Sequence, residues 1–251
     1  MRSLVYIKGG DLKFAEDSDG WEKATFDVVA MILGDNGMVV DEVSRTETIK
    51  ARAETLQEIR EKGFVSTITV PIKKPGAYQM RVVMRDTSTS RIGSASQFIE
   101  VPNLKRDKLT ISGILLQRVR PQNAESKNAV FQKQFQPDEQ RDVATRSFRP
   151  GMNVRFGYAI YNAKLNRTTK SLNLTMQFKI FHDGKEIFVS KEKGVRLLEQ
   201  TDLQRLLAEG IFTLSKAIQP DDYVLQVIVK DLSLKEKNQL ASQWIDFEVI
   251  K

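Results

Sequence analysis

The chain has 251 residues, 41% of them apolar and 28% charged, with no cysteine and one histidine, His182. That composition supports a buried core and excludes general disorder, thiol nucleophiles, disulfides, thiolate metal sites and multi-histidine metal sites. The net charge of +7 is unevenly placed: residues 1–104 carry 14 Lys/Arg and 15 Asp/Glu, residues 105–251 carry 25 and 17, and the stretch 105–170 alone carries 14 and 5.

The first ten residues have no apolar run long enough for a signal peptide. The longest apolar runs, such as Val28–Leu33, fall far short of the roughly 18 residues of a membrane span. Gly9-Gly10 reads as a strand-end turn, without the spacing of a phosphate loop. Asp17-Ser18-Asp19-Gly20 resembles the start of a calcium loop, but the twelfth position is Val28 rather than Glu, so a solvated turn is expected. Thr25–Leu33 is rich in β-branched and aromatic residues, and Gly34-Asp-Asn-Gly37 then turns the chain into a returning strand, Met38–Thr48. Ala51–Lys62 has helical spacing at Leu56 and Ile59 and a stop at Gly63. Phe64–Ile72, Tyr78–Asp86 and Gln97–Val101 follow as strands.

Val101-Pro-Asn-Leu-Lys105 suits a short linker. Leu109–Gln117 is strand-like and leads into a polar, loop-like stretch to about Arg141. Leu172–Phe181, His182-Asp183-Gly184 and Lys185–Ser190 form a second hairpin signal. Thr201–Glu209, with Thr201 as N-cap and Leu203, Leu206 and Leu207 at helical spacing before Gly210, predicts a short helix. Ile211–Ile218, Tyr223–Asp231 and Trp244–Ile250 complete the strands.

These segments repeat. Pro75, Tyr78, Val82 and Asp86 recur as Pro220, Tyr223, Val227 and Asp231 at an offset of 145. Ala95-Ser-Gln-Phe98-Ile-Glu100 matches Ala241-Ser-Gln-Trp244-Ile-Asp246 at 146. Leu56-Gln57 with Gly63 matches Leu203-Gln204 with Gly210 at 147, as does Asn36-Gly37 with Asp183-Gly184. The expected architecture is all-β: two tandem immunoglobulin- or fibronectin-III-like β-sandwiches, 1–104 and 105–251, each with a short helix, the second with a polar loop around 118–141. The first copy has little room before Leu4 for a counterpart of Leu109–Gln117, so the parent protein is expected to continue upstream of Met1.

Tyr78 and Tyr223, each heading the strongest strand of its copy, fit structural tyrosine corners, with a buried ring and a hydroxyl bonded to upstream backbone. Asp86 and Asp231 fit turn caps at the ends of those strands, with a calcium site between the domains as the alternative. Trp244 replaces Phe98 and reads as a core aromatic, while Trp21 is less constrained. His182 reads as an exposed turn histidine outside any Ser–His–acid arrangement.

Lys74-Pro-Gly-Ala-Tyr-Gln-Met-Arg-Val82, Arg91–Pro102, Phe148-Arg-Pro-Gly151 and Tyr158–Ala163 together resemble the C-terminal region of bacterial von Willebrand factor type A-related proteins. The resemblance covers most of the chain and rests on structural motifs. In that family an N-terminal α/β domain with a metal-dependent adhesion site precedes β-rich segments. The adhesion motif Asp-x-Ser-x-Ser and its strand–helix alternation are absent here. The resemblance implies a secreted or surface-associated parent and no activity for this region.

The function expected is a non-catalytic structural or protein-interaction region of a larger bacterial extracytoplasmic protein. It needs no cofactor, and its partner is another protein or the parent's upstream domain, met at strand edges. The alternative is a carbohydrate- or polyanion-binding module for anionic glycan. Its contacts would be Arg118, Arg120, Lys127, Lys133, Arg141, Arg146 and Arg149, acting by charge rather than by specific nucleic-acid recognition.

Overall fold

The computed structural model describes residues 1–104, 108–120, 137–166, 171–198, 200 and 202–251. They divide into two units, Met1–Val101 and Pro102–Lys251.

Unit 1 comprises β1 (Arg2–Ile7), β2 (Ala15–Glu16), β3 (Glu22–Gly34), β4 (Val39–Ala51), α1 (Ala53–Lys62), β5 (Phe64–Thr69), β6 (Gly76–Asp86) and β7 (Ile92–Val101). Strict alternation in β3 puts Ala24, Phe26, Val28, Ala30 and Ile32 inside while their neighbours stay half-exposed. The turn closing β3 onto β4 places Gly37 at φ 75°. β6 pairs the other edge of β3 and β7 pairs β6, all antiparallel. The opposing sheet is only β1 and β5. Ile7, Ile68 and Val70 from its side meet Phe26, Val28, Ile32, Met80 and Val82 in one core. α1 buries Leu56 and ends at Gly63, whose φ of 67° is disfavoured for other residues and whose added β-carbon would collide with the Ile7 carbonyl.

Unit 2 comprises β8 (Thr110–Ile111), β9 (Leu115–Arg118), α2 (Pro137–Thr145), β10 (Ser147–Phe148), β11 (Asn153–Tyr161), β12 (Leu174–His182), β13 (Lys185–Val189), β14 (Lys193–Gly194), β15 (Arg196–Leu197), β16 (Arg205–Thr213), β17 (Asp221–Asp231) and β18 (Leu240–Val249). One sheet runs β10-β18-β17-β12-β13, with β14 also on β12; the other runs β15-β16-β11-β8, with β9 also on β11. Both units are β-sandwiches of the immunoglobulin/fibronectin-III type, each with one α-helix among the described residues.

Three sequence expectations change. The helix expected over Thr201–Glu209 is replaced in its described part by strand: Arg205–Thr213 is β16, paired with β11 over nine residues, while the expected N-cap Thr201 lies outside the described residues. Leu206, Ala208 and Phe212 point inward with period two, and that burial overrides the helical spacing of the leucines. The second unit's described α-helix is instead Pro137–Thr145, which begins in the stretch expected to be loop, and Gln117, at the end of the segment expected to be strand, is fully buried in β9. Finally, Gly63 and Gly210 are not equivalent: Gly63 stops a helix, whereas Gly210 lies mid-strand opposite Phe156, whose ring occupies the space of a side chain.

Candidate functional site

The duplication is clearest at two anchors. The Tyr78 hydroxyl donates to the Lys74 carbonyl at 2.8 Å, and the Tyr223 hydroxyl donates to the Gln219 carbonyl at 2.9 Å. Tyr223 is buried, its pKa raised by burial and by Asp221, while Tyr78 is half-exposed. Asp86 and Asp231, both 0% exposed, cap the turns after the same strands. Asp86 accepts from the backbone of Ser88 and Thr89, and Asp231 from that of Ser233. Each also pins a remote segment: Lys13 N–H donates to Asp86 Oδ2 at 2.7 Å, and Lys164 N–H to Asp231 Oδ2 at 2.6 Å. Burial alone would raise the Asp86 pKa, but these bonds outweigh it and hold the carboxyl well below the ordinary range.

The matching lysines show which strands correspond. Lys13 and Lys164 differ by 151, as do Met1 and Met152, whose carbonyls accept from Val70 and Leu214 N–H at 2.9 Å each. At that offset β1 maps onto β11, and β5 maps onto β16 at an offset of 144, in the same register: Arg2 faces Thr69 as Asn153 faces Thr213. β11 then carries β8 and β9 along its second edge. Among the described residues, nothing pairs the second edge of β1.

Hydrogen-bonded and non-bonded pairs alternate along antiparallel strands. The amine and carbonyl of Met1 both bond Val70. Ser3, Val5 and Ile7 therefore bond β5, and Arg2, Leu4 and Tyr6 aim their N–H and C=O groups outward. The far edge of β5 is treated differently, since Arg45 Nη2 donates to the Thr67 carbonyl at 2.7 Å. Residues Ser3–Tyr6 are half-exposed, whereas Val154–Ile160 are all buried.

Other candidates are absorbed by structure. His182 ends β12 opposite Tyr223 instead of projecting freely from the turn. Its Nε2 lies 3.0 Å from Asp221 Oδ2, and its ring stacks on Tyr223 at 4.7 Å. The Asp221 contact raises the His182 pKa. Asp17 bonds Lys50 at 2.7 Å, which, with the Ser18 backbone and Lys23, lowers its pKa to about 2. Trp244 is not a core residue: it is 51% exposed and lies against Phe181 at 5.3 Å. Phe98 is 65% exposed and pairs Gln79, while Trp244 pairs Gln226, so the two aromatics sit two residues apart in register. Trp21 sits under the Arg52 guanidinium at 4.5 Å.

The basic candidates do not converge. Lys127 and Lys133 lie outside the described residues. Arg120 is buried, with Nη1 2.6 Å from Asp142 and Nη2 on the Asp138 carbonyl. Arg146 binds Asp246 at 2.7 Å, and Arg149 Nε bonds the Lys251 carbonyl. Arg118 is half-buried on β9, while Arg141 is exposed on α2. The sequence reading missed a buried pair on adjacent strands, Arg155 on β11 and Glu209 on β16, with Nε 3.8 Å from Oε2 and Arg196 at 3.4 Å from Oε1. Charges on strands normally signal solvent, and no pattern marked these two. Among the described residues, no three His, Cys, Asp or Glu side chains form a metal-holding group, and no helix is long and apolar enough to cross a membrane.

No family and no curated protein matches the chain. Solved structures align with the chain at low identity and low TM-score. The fibronectin(III)-like modules of Clostridium thermocellum CbhA align over 100% of this chain and 93% of theirs, at 10% identity and a TM-score of 0.20. The C-terminal domain of the Streptococcus pyogenes antigen I/II-family protein AspA aligns over 100% and 99%, at 9% identity and a TM-score of 0.24. The BspA_C_WT structure aligns over 98% of this chain and 91% of its own, at 11% identity and a TM-score of 0.25.

Proposed function

We propose that the chain is a non-catalytic protein-interaction region of a larger bacterial extracytoplasmic protein of the von Willebrand factor type A-related kind. The observation that carries the reading is the edge of β1, a row of backbone groups that no strand pairs among the described residues, in a unit whose duplicate covers the same row. Such an edge is a template for another polypeptide. The buried carboxylates Asp86 and Asp231 are engaged in holding turns and remote segments together, and among the described residues no hydroxyl is bonded to His182 as a nucleophile would be to its base. The polyanion reading is weaker, because Asp142 and Asp246 neutralise two of its arginines.

The test is photo-crosslinking in cells producing the parent protein, with a crosslinking amino acid at Arg2 or at Phe98. Protein adducts from either position support the interaction reading. Adducts to glycan alone, or none from either site, overturn it.

A further inference from the structure

We infer that unit 1 is a strand acceptor: its β1 edge binds an extended peptide running antiparallel to β1, in the place that β9 occupies on β11. This rests on the interaction reading and specifies both the partner's chemistry and its register.

Unit 2 shows what such a guest provides. Leu115–Arg118 pairs with β11 so that Leu116 lies opposite Phe156 and is wholly buried. Applying the offset of 151 that relates Lys164 to Lys13, the residue opposite Phe156 corresponds to one opposite Val5. Val5 is half-exposed and packs at the margin of the unit 1 core. A guest aliphatic residue there would extend that core as Leu116 extends its own. The backbone donors and acceptors are those of Arg2, Leu4 and Tyr6, the counterparts of Asn153, Arg155 and Gly157. Asn153 shows the pattern in use, its carbonyl accepting from Val119 N–H at 2.9 Å.

The neighbouring edge of β7 is a poorer host. In unit 2, β10 joins β18 in parallel, with Ile250 N–H donating to the Phe148 carbonyl at 2.8 Å and Phe148 packed against Phe247. Register maps Ile250 onto Pro102, since Glu248 and Val249 map onto Glu100 and Val101 through their partners on β17 and β6. Proline has no N–H to donate. The inner side of β7 nevertheless leaves Ile99 and Val101 half-exposed, where Phe247 and Val249 are buried. The guest is therefore an extended segment with aliphatic residues at alternate positions, bonded through backbone to β1 and free to lay a side chain toward Ile99 and Val101. Its own N–H groups must be available, so a proline at a bonded position excludes it.

The probe is a synthetic peptide of residues 109–120 of this chain, Leu-Thr-Ile-Ser-Gly-Ile-Leu-Leu-Gln-Arg-Val-Arg. It is added to the full chain, whose own copy already fills β11. Amide hydrogen exchange at Arg2, Leu4 and Tyr6 should slow by about tenfold or more at saturation, while the amides of Asn153–Tyr161 stay unchanged. The same peptide with Gln117→Pro loses the bond made by a hydrogen-bonded position and should give no protection. On the protein side, Leu4→Pro removes an outward N–H without touching a bond to β5, as edge prolines do, and should abolish protection. Unchanged exchange of the Ser3 and Val5 amides in that variant shows that β1 is still paired. Equal exchange with and without peptide overturns the inference, as does protection unaffected by either proline. Concentration-dependent protection without peptide, lost in Leu4→Pro, would assign the edge to a second copy and also overturn it. Crosslinks in cells from Phe98 but none from Arg2 would overturn the acceptor edge while the interaction reading stands.

Discussion

Unit 1 and unit 2 share anchors and registers but not completeness. In unit 2, β8, β9 and β10 close one side of the sandwich, and Leu109, Ile111, Ile114, Leu116 and Phe148 join its core. In unit 1 no described strand does this, and the consequences follow along the whole side: β1 is half-exposed, the inner residues of β7 are uncovered, and the corner tyrosine is wetter. On the inference drawn above, the difference converts a packing surface into a docking surface.

The sharpest way to break this comparison is to undo the cover in unit 2. Phe148→Ala should cost unit 2 about 3–5 kcal/mol, because a large, wholly buried ring leaves a cavity beside Phe247 and Val249. The chain has two tryptophans, Trp21 in unit 1 and Trp244 in unit 2, so denaturant unfolding of Trp21→Phe and Trp244→Phe backgrounds reports each unit separately. A loss below about 1 kcal/mol would mean that β10 contributes little and the contrast is superficial.

The buried pair gives the next effect. Glu209→Ala should destabilise unit 2 by about 3 kcal/mol, because it removes the buried carboxylate that faces the Arg155 and Arg196 guanidinium groups. Replacing both, Arg155→Met with Glu209→Leu, should recover most of that loss, since apolar side chains of similar volume avoid the desolvation cost. Failure of the double variant to recover, measured by the same unfolding, would show that the pair does more than neutralise itself. Unit 1 has no such pair to lose: Leu4 stands where β11 has Arg155.

Much of this was legible in the sequence. The Asn-Gly and Asp-Gly turns, the Tyr-to-Asp strands and helix α1 follow from local rules. The errors arose where tertiary pairing decides. Gly210 imitates a helix stop, yet it is a strand residue making room for Phe156. The Phe98 and Trp244 motifs align as text but not in the ladder, because the turn after Asp231 is longer than the one after Asp86. Arg120 looks like a loop residue and is buried, which only the packing of β9 and α2 could reveal.

The corners should differ in degree. Tyr223→Phe should cost unit 2 about 1 kcal/mol, by losing a bond to the Gln219 carbonyl in a buried setting. Tyr78→Phe should cost unit 1 less, because water can reach the Lys74 carbonyl once the hydroxyl is gone. Equal losses would indicate that the open side of unit 1 is as dry as its duplicate.

The smallest contrast is with pH. His182 faces Asp221 at 3.0 Å and Asp183 at 3.9 Å, and stacks on Tyr223. Its pKa lies above the ordinary value of 6.5, chiefly through the Asp221 bond. The folded state thus holds the proton more tightly than the unfolded chain. The stabilisation is complete below the unfolded pKa and vanishes as pH rises through the folded one. Asp221, lowered by the same contact, bounds the effect on the acid side: its share is present above its unfolded pKa and lost as pH falls through the folded one. Unit 2 should therefore melt slightly lower at about pH 8 than at about pH 6. Unit 1, with Gly34 opposite Tyr78 where unit 2 has His182 opposite Tyr223, should not. The imidazole protons of His182 should titrate with a midpoint above 6.5 by NMR, and His182→Gln should flatten the response of unit 2. A slope that survives His182→Gln would place its source outside the histidine and remove this difference between the units.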